Sequence, residues 1–165
     1  MARVDKKKNL RPSILDRLID DDPDNTQDVD RSKHQQLKDL RASVRRDLES
    51  LLNTRYRTVS TPSSLSEMES SILNYGLPDL ATVNITDNEK KKEFTRNLER
   101  LLRKFEPRFK SVKVNFIENK ESSDRTLRFR VDATLYADPA PEIVVFDSVL
   151  EPVSRTVNVE ESQHG

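Results

Sequence analysis

At 165 residues, 35% charged and 33% hydrophobic, the chain has the length of one domain with an extension, since domains commonly run about 100–200 residues. Its 29 basic residues balance its 29 acidic residues, so no net charge attracts the protein to nucleic acid or to an anionic membrane. Without cysteine or an apolar run near the ~20 residues that span a bilayer, we expect a cytoplasmic protein with neither thiol chemistry nor membrane insertion.

The first 32 residues have the composition of a flexible N-terminal arm. The stretch "RPSILDRLIDDD" places Ile14, Leu15 and Leu18 on one face of a short helix, which we interpret as a docking helix for a partner. An aspartate-rich linker, from Asp20 to Asp30, follows this helix. We therefore predict an arm over residues 1–32 and a single domain over residues 33–165.

Two long helices are predicted between residues 33 and 105. The first starts near Lys33 and has apolar residues at steps of three and four, namely Leu37, Leu40, Val44, Leu48 and Leu51. The second starts near Thr86, where Glu89 completes a capping box. Its apolar positions are Phe94, Leu98, Leu101, Leu102 and Phe105. Pro107 prevents this helix from continuing.

A shorter helix is predicted between these two. Ser64 and Glu67 have the spacing of a capping box, and the helix that follows would bury an apolar side made of Met68, Ile72 and Leu73. The sequence "NYGLPDL" then indicates a helix end, because Gly76 can adopt positive φ and Pro78 cannot continue a helix.

After Pro107 the apolar residues alternate with polar ones, which is typical of half-buried strands. Three strands are predicted between residues 111 and 150, and a fourth around Val153, Val157 and Val159. Helices followed by strands indicate an α+β domain, with the helices packed on one face of a short antiparallel sheet of three to four strands, about residues 111–159. The last strand would lie at an edge, so its three valines are candidates for pairing with a partner's strand.

Most catalytic classes lack their residues in this chain. The only histidines, His34 and His164, lie at a helix start and in the tail, and two glycines cannot form a phosphate-binding loop. We therefore expect no enzyme, no cofactor and no metal site.

Two alternatives stay open. Glu106 in the triplet Glu106-Pro107-Arg108 is the one acid in an unusual setting, but the nearby Arg108 favours its charged form, whereas a glycoside hydrolase needs a general acid. The basic helix over residues 89–104 would suit phosphate contacts, although its glutamates and the zero net charge favour an ordinary solvated face. Peptidoglycan hydrolysis and nucleic-acid binding are thus the weaker hypotheses.

Four fragments in order, "RPSILDRLIDDD", "ESLLNTRY", "SILNYGLPDL" and "FEPRF", resemble the TssE family of type VI secretion baseplate subunits, which is related to the small wedge protein of contractile phages. The family's Glu-Pro-Arg motif stands intact as Glu106, Pro107 and Arg108. The resemblance implies a structural subunit that joins TssF and TssG in a wedge, with this motif at the contact. It also implies a sheet edge on which the sheath subunits TssB and TssC begin to assemble. Because a hinge needs neither charge, we interpret Glu106 and Arg108 as a partner contact.

Overall fold

A computed structural model describes residues 13–19, 23–24, 32–55, 64–65, 67–68, 71–77, 88–119, 126–137, 140–151, 154 and 156–162. The helices are α1 (Ile14–Leu18), α2 (Lys33–Asn53) and α3 (Asn88–Phe105), with a short 3-10 helix at Ile72–Asn74. The strands are β1 (Phe109–Ile117), β2 (Leu127–Leu135), β3 (Glu142–Glu151) and β4 (Thr156–Glu161). The predicted α+β class is confirmed.

The strands form one antiparallel sheet in the order β1-β2-β3-β4. Its register aligns Val114 with Val131 and Val131 with Phe146, so the alternating apolar residues of neighbouring strands share one face. The predicted alternation is therefore confirmed. Val153 lies outside the described residues.

Both long helices pack on this apolar face, α3 against β1 and α2 against β4. The helical residues buried in the shared core are Val44, Leu48, Leu51, Leu52, Phe94, Leu98 and Leu102. These side chains belong to the two predicted apolar stripes, with Leu52 added. No helix in the described ranges is long and apolar enough to cross a membrane.

The segment before Gly76 differs from the prediction. Its described helical turn at Ile72–Asn74 is a 3-10 helix, and Ile72 and Leu73 are 85% and 43% exposed, so their predicted burial is wrong. The side chains of Ser71 and Asn74 both donate hydrogen bonds to the carbonyl of Met68, at 2.7 and 2.8 Å. Such side-chain bonds compete with the helical pattern, because they occupy a carbonyl that an α-helix would use.

Gly76 adopts the positive φ that the sequence predicted, at 108°. This turn places the Leu77 N–H 2.9 Å from the Thr54 carbonyl at the end of α2 and buries the Leu77 side chain. Gly76 therefore directs the chain back onto α2.

Candidate functional site

The triplet forms the turn between α3 and β1. Glu106 directly follows the last residue of α3, and its N–H still donates a helical bond to the Leu102 carbonyl at 2.9 Å. Pro107 is exposed, whereas the Glu106 side chain points inward and the residue is only 4% exposed. Pro107 thus ends the helix as predicted, and the turn places a carboxylate inside the domain.

Arg108 neutralises this buried carboxylate. Its Nε donates to Glu106 Oε1 at 2.6 Å, and its Nη2 donates to Oε2. The Arg108 backbone N–H donates to the same Oε1 at 3.1 Å. Both carboxylate oxygens are therefore engaged by Arg108, in the bidentate geometry that makes such pairs strong.

The same guanidinium reaches α2. Its Nη1 donates to Ser43 Oγ at 2.9 Å and its Nη2 to Asp47 Oδ2 at 2.6 Å. Burial alone lowers the pKa of Arg108, but hydrogen bonds and opposite charges from Glu106 and Asp47 outweigh it and raise the pKa above its ordinary value. Arg108 stays charged and holds the α3–β1 turn against α2.

The arm joins this site through Asp16 of α1. Asp16 Oδ2 accepts hydrogen bonds from Ser43 Oγ at 2.6 Å and from the N–H and hydroxyl of its own helix cap, Ser13. Its Oδ1 accepts from Arg46 Nη2 at 2.5 Å, and Arg46 also contacts Asp47. Ser43 connects the contacts of the triplet with those of the arm, because its hydroxyl accepts a hydrogen bond from Arg108 and donates one to Asp16.

We call this connected set the junction network; its members are Asp16, Ser43, Arg46, Asp47, Glu106 and Arg108. It links the arm, α2 and the triplet. Sequence reasoning found the triplet but missed its partners within the chain. Ser43 and Asp47 lie one helical turn apart on α2, next to the apolar stripe. Two polar residues in such positions share one helix face at the edge of the core, and this spacing is the signal in the sequence that could have indicated a polar contact there. The interpretation of Glu106 and Arg108 as a partner contact stays a prediction.

The other predicted contact residues divide into two groups. In α1, Ile14, Leu15 and Leu18 are 77%, 56% and 76% exposed, so an apolar side of the arm faces solvent. Val157 and Val159 of β4 are buried in the core. Any partner at β4 must therefore use the strand's main chain rather than these side chains.

A family model described as "Baseplate wedge protein gp25" matches residues 38–140, more than half of the chain. The chain belongs to this gp25 family. TssE, the type VI baseplate subunit, is of the same family, so the resemblance found in the sequence is confirmed. No match was found among curated proteins. The matched range contains most of α2, all of α3, the triplet and the first two strands, but not α1, β3 or β4.

Proteins of the gp25 family are structural components of baseplates. The structure also bears on the two weaker hypotheses, peptidoglycan hydrolysis and nucleic-acid binding. Because Arg108 engages both oxygens of buried Glu106, this carboxylate is part of the internal packing rather than a group aimed at a substrate. On α3, the exposed glutamates Glu89 and Glu93 flank the lysines at the start of the basic face. Neither arrangement favours hydrolysis or nucleic-acid binding.

Acid should release α1 from the rest of this gp25-family protein. Burial raises the pKa of Asp16, but hydrogen bonds from Ser13, Ser43 and Arg46 outweigh it and hold the pKa below its ordinary value. A lowered folded-state pKa contributes stability that is fully present above the ordinary aspartate pKa, about 3.9, and is lost progressively as the pH falls from there through the lower folded-state pKa. We expect NMR shifts of the α1 amides to move towards unfolded values below about pH 4.

Asp16→Asn should show the released state already at pH 7. Asp24→Asn is the matched control, because Asp24 is an exposed aspartate of the same arm and should leave the α1 shifts unchanged. Wild-type α1 shifts in Asp16→Asn at pH 7 would contradict the role of Asp16.

Proposed function

We propose that this protein is a cytoplasmic, non-enzymatic baseplate subunit of a type VI secretion system, located at the baseplate docked on the inner membrane. It joins TssF and TssG in the wedge, and its sheet provides the starting edge for the TssB and TssC sheath. The observation that carries the wedge contact is an exposed apolar helix side held in place by the junction network.

The wedge surface is formed by Ile14, Leu15 and Leu18. Exposed apolar side chains grouped on one helix mark an interaction site more often than scattered ones do. Asp16 lies on the opposite side of this short helix and binds Ser43 and Arg46, so the apolar side is presented outward. Fixing the helix before binding reduces the conformational entropy that association would otherwise cost.

The triplet supports this surface and extends it. Arg108 holds Ser43, and Ser43 in turn holds Asp16, so the turn and the arm share one set of hydrogen bonds. Pro107 is exposed at the turn, and Arg108 is only partly buried. We therefore include Pro107 and Arg108 in the wedge contact, with Glu106 fixing the guanidinium from inside.

The sheath contact is assigned to β4, which is the last strand of the sheet. Strand addition uses main-chain hydrogen bonds, so it does not require exposed apolar side chains. This mode suits β4, whose two valines are buried.

Co-purification with TssF and TssG tests the wedge contact. The double variant Leu15→Asp/Leu18→Asp should lose TssF and TssG, whereas the wild type retains them. Burying one such side chain is worth about 1.5–3 kcal/mol, so losing two corresponds to an affinity decrease of roughly 100-fold or more.

Ile72→Asp is the matched control, because Ile72 is also an exposed apolar residue but lies outside the proposed surface. Circular dichroism should show the same fold for all three proteins, since none of the changed side chains is buried. Retention of both wedge subunits by the double variant would refute the wedge surface.

A further inference from the structure

The outward main-chain groups of β4 can be identified from the sheet. In antiparallel pairs, alternate residues direct both their N–H and C=O towards the same neighbour. The Ser162 N–H donates to the Val145 carbonyl of β3 at 2.8 Å, so the even-numbered residues of this segment face β3. Val157 and Val159 therefore direct their main-chain groups away from β3, towards the free edge.

Side chains of α2 occupy this free edge. Asn53 Nδ2 donates to the Val157 carbonyl at 2.9 Å, and the Val157 N–H donates to Asn53 Oδ1 at 2.8 Å. Arg45 Nη1 donates to the Val159 carbonyl at 3.3 Å. The Asn53 amide thus reproduces the pair of bonds that a residue of a neighbouring antiparallel strand would exchange with Val157. We call Arg45 and Asn53 the edge cover.

The opposite edge of the sheet is covered by charged side chains. Glu99 of α3 accepts a hydrogen bond from the Val114 N–H at 2.9 Å, and Arg103 donates to the Val112 carbonyl at 3.2 Å. Both bonds involve a charged group, and such bonds are about twice as strong as neutral ones.

At β4 the two hydrogen bonds to Val157 are neutral, so each is weaker than the charged bonds at β1. Asn53 is a neutral amide on the last residue of α2, its residue is exposed, and helix ends fray. Arg45 can release Val159 and keep its ion pair with Glu49, whose Oε2 lies 3.1 Å from the same Nη1.

We infer that Asn53 is a displaceable cover of β4, which occupies Val157 in the free subunit and withdraws when a strand of a sheath subunit pairs with β4. The inference rests on the proposed sheath contact. A covered edge keeps free copies from pairing with one another, which is a known hazard of edge strands. The strand that displaces Asn53 takes over both hydrogen bonds to Val157, and a basic residue opposite the exposed Glu160 would favour its register.

Hydrogen exchange and sheath binding test this cover with the intact protein. Asn53→Ala should increase exchange of the Val157 amide about tenfold and strengthen binding of purified TssB–TssC by about the same factor, since about one to two neutral hydrogen bonds no longer compete. The matched control is Asn97→Ala, an exposed asparagine of α3 that does not contact the sheet edge.

The outcomes separate the inference from the proposed function. If TssB–TssC protects the Val157 amide equally and with equal affinity in wild type and Asn53→Ala, strand pairing stands and the cover is refuted. If TssB–TssC protects Val157 in neither protein, the proposed sheath contact fails and the inference fails with it. Faster exchange of the Val157 amide and tighter TssB–TssC binding in Asn53→Ala, with neither change in Asn97→Ala, would support both the cover and the sheath contact.

Discussion

Arg108→Ala will lower the free energy of unfolding by about 3–5 kcal/mol, the cost of removing one partner from a buried ion pair. The change leaves the Glu106 carboxylate inside the domain without the two side-chain donors of Arg108, with only the backbone N–H of residue 108 still bound to it, and it removes the contacts to Ser43 and Asp47. Urea denaturation followed by circular dichroism measures this difference.

Arg130→Ala is the matched control. Arg130 also pairs with a carboxylate, that of Asp147, at 2.7 Å, but both residues lie on the solvent side of the sheet. Exposed pairs contribute about 0–1 kcal/mol, so this variant should be nearly as stable as the wild type. An equal loss of unfolding free energy in the two variants would contradict the prediction, because the Glu106–Arg108 pair would then contribute no more than an exposed pair.

A double variant tests whether the instability of Arg108→Ala comes from the unpaired charge of Glu106. Glu106→Gln/Arg108→Met removes both charges together, and replacing a buried pair by neutral groups usually costs much less than stranding one member. We expect it to be more stable than Arg108→Ala. Because Arg108 carries part of the fold, charge reversal at this position would change wedge binding and stability together, which is why the exposed α1 residues are the cleaner test.

The sequence predicts those features that depend on local spacing. Pro107 ends α3, Gly76 takes positive φ, and the alternation after Pro107 gives the strands, because each follows from a few neighbouring residues. The predicted helix before Gly76 is different. Its pattern was local too, but side-chain bonds from Ser71 and Asn74 to Met68 oppose it.

The site itself depends on contacts that spacing cannot reveal. Arg108 meets Ser43 across 65 positions, and Asn53 meets Val157 across 104. Single polar residues of this kind have no periodic signal, and their partners are defined only once the core has packed. The triplet could therefore be identified as unusual from the sequence, whereas its attachment to the arm could not.

Gly76→Ala will lower the free energy of unfolding by about 2–4 kcal/mol. A positive φ at a residue with a side chain costs about 1–3 kcal/mol, and the Leu77 hydrogen bond to Thr54 adds about 1 kcal/mol when lost. The new Cβ would also lie 2.3 Å from the Thr54 carbonyl oxygen, so this backbone must move. Urea denaturation is again the measurement, with exposed Ile72→Ala as a control that should change stability by less than about 0.5 kcal/mol.

Gly76→Asn distinguishes the strain of a positive φ from the close contact between the new Cβ and the Thr54 carbonyl. Asparagine tolerates positive φ better than alanine does, but its Cβ meets the same carbonyl. If the contact dominates, both variants should be equally unstable; a nearly normal Gly76→Asn would show that φ alone matters.

Tyr75, the residue before Gly76, packs edge-on against Phe105 at 5.3 Å, and Phe105 directly precedes Glu106. A displaced Gly76 turn should therefore also loosen the junction network and weaken co-purification with the wedge, although Gly76 belongs to neither proposed surface.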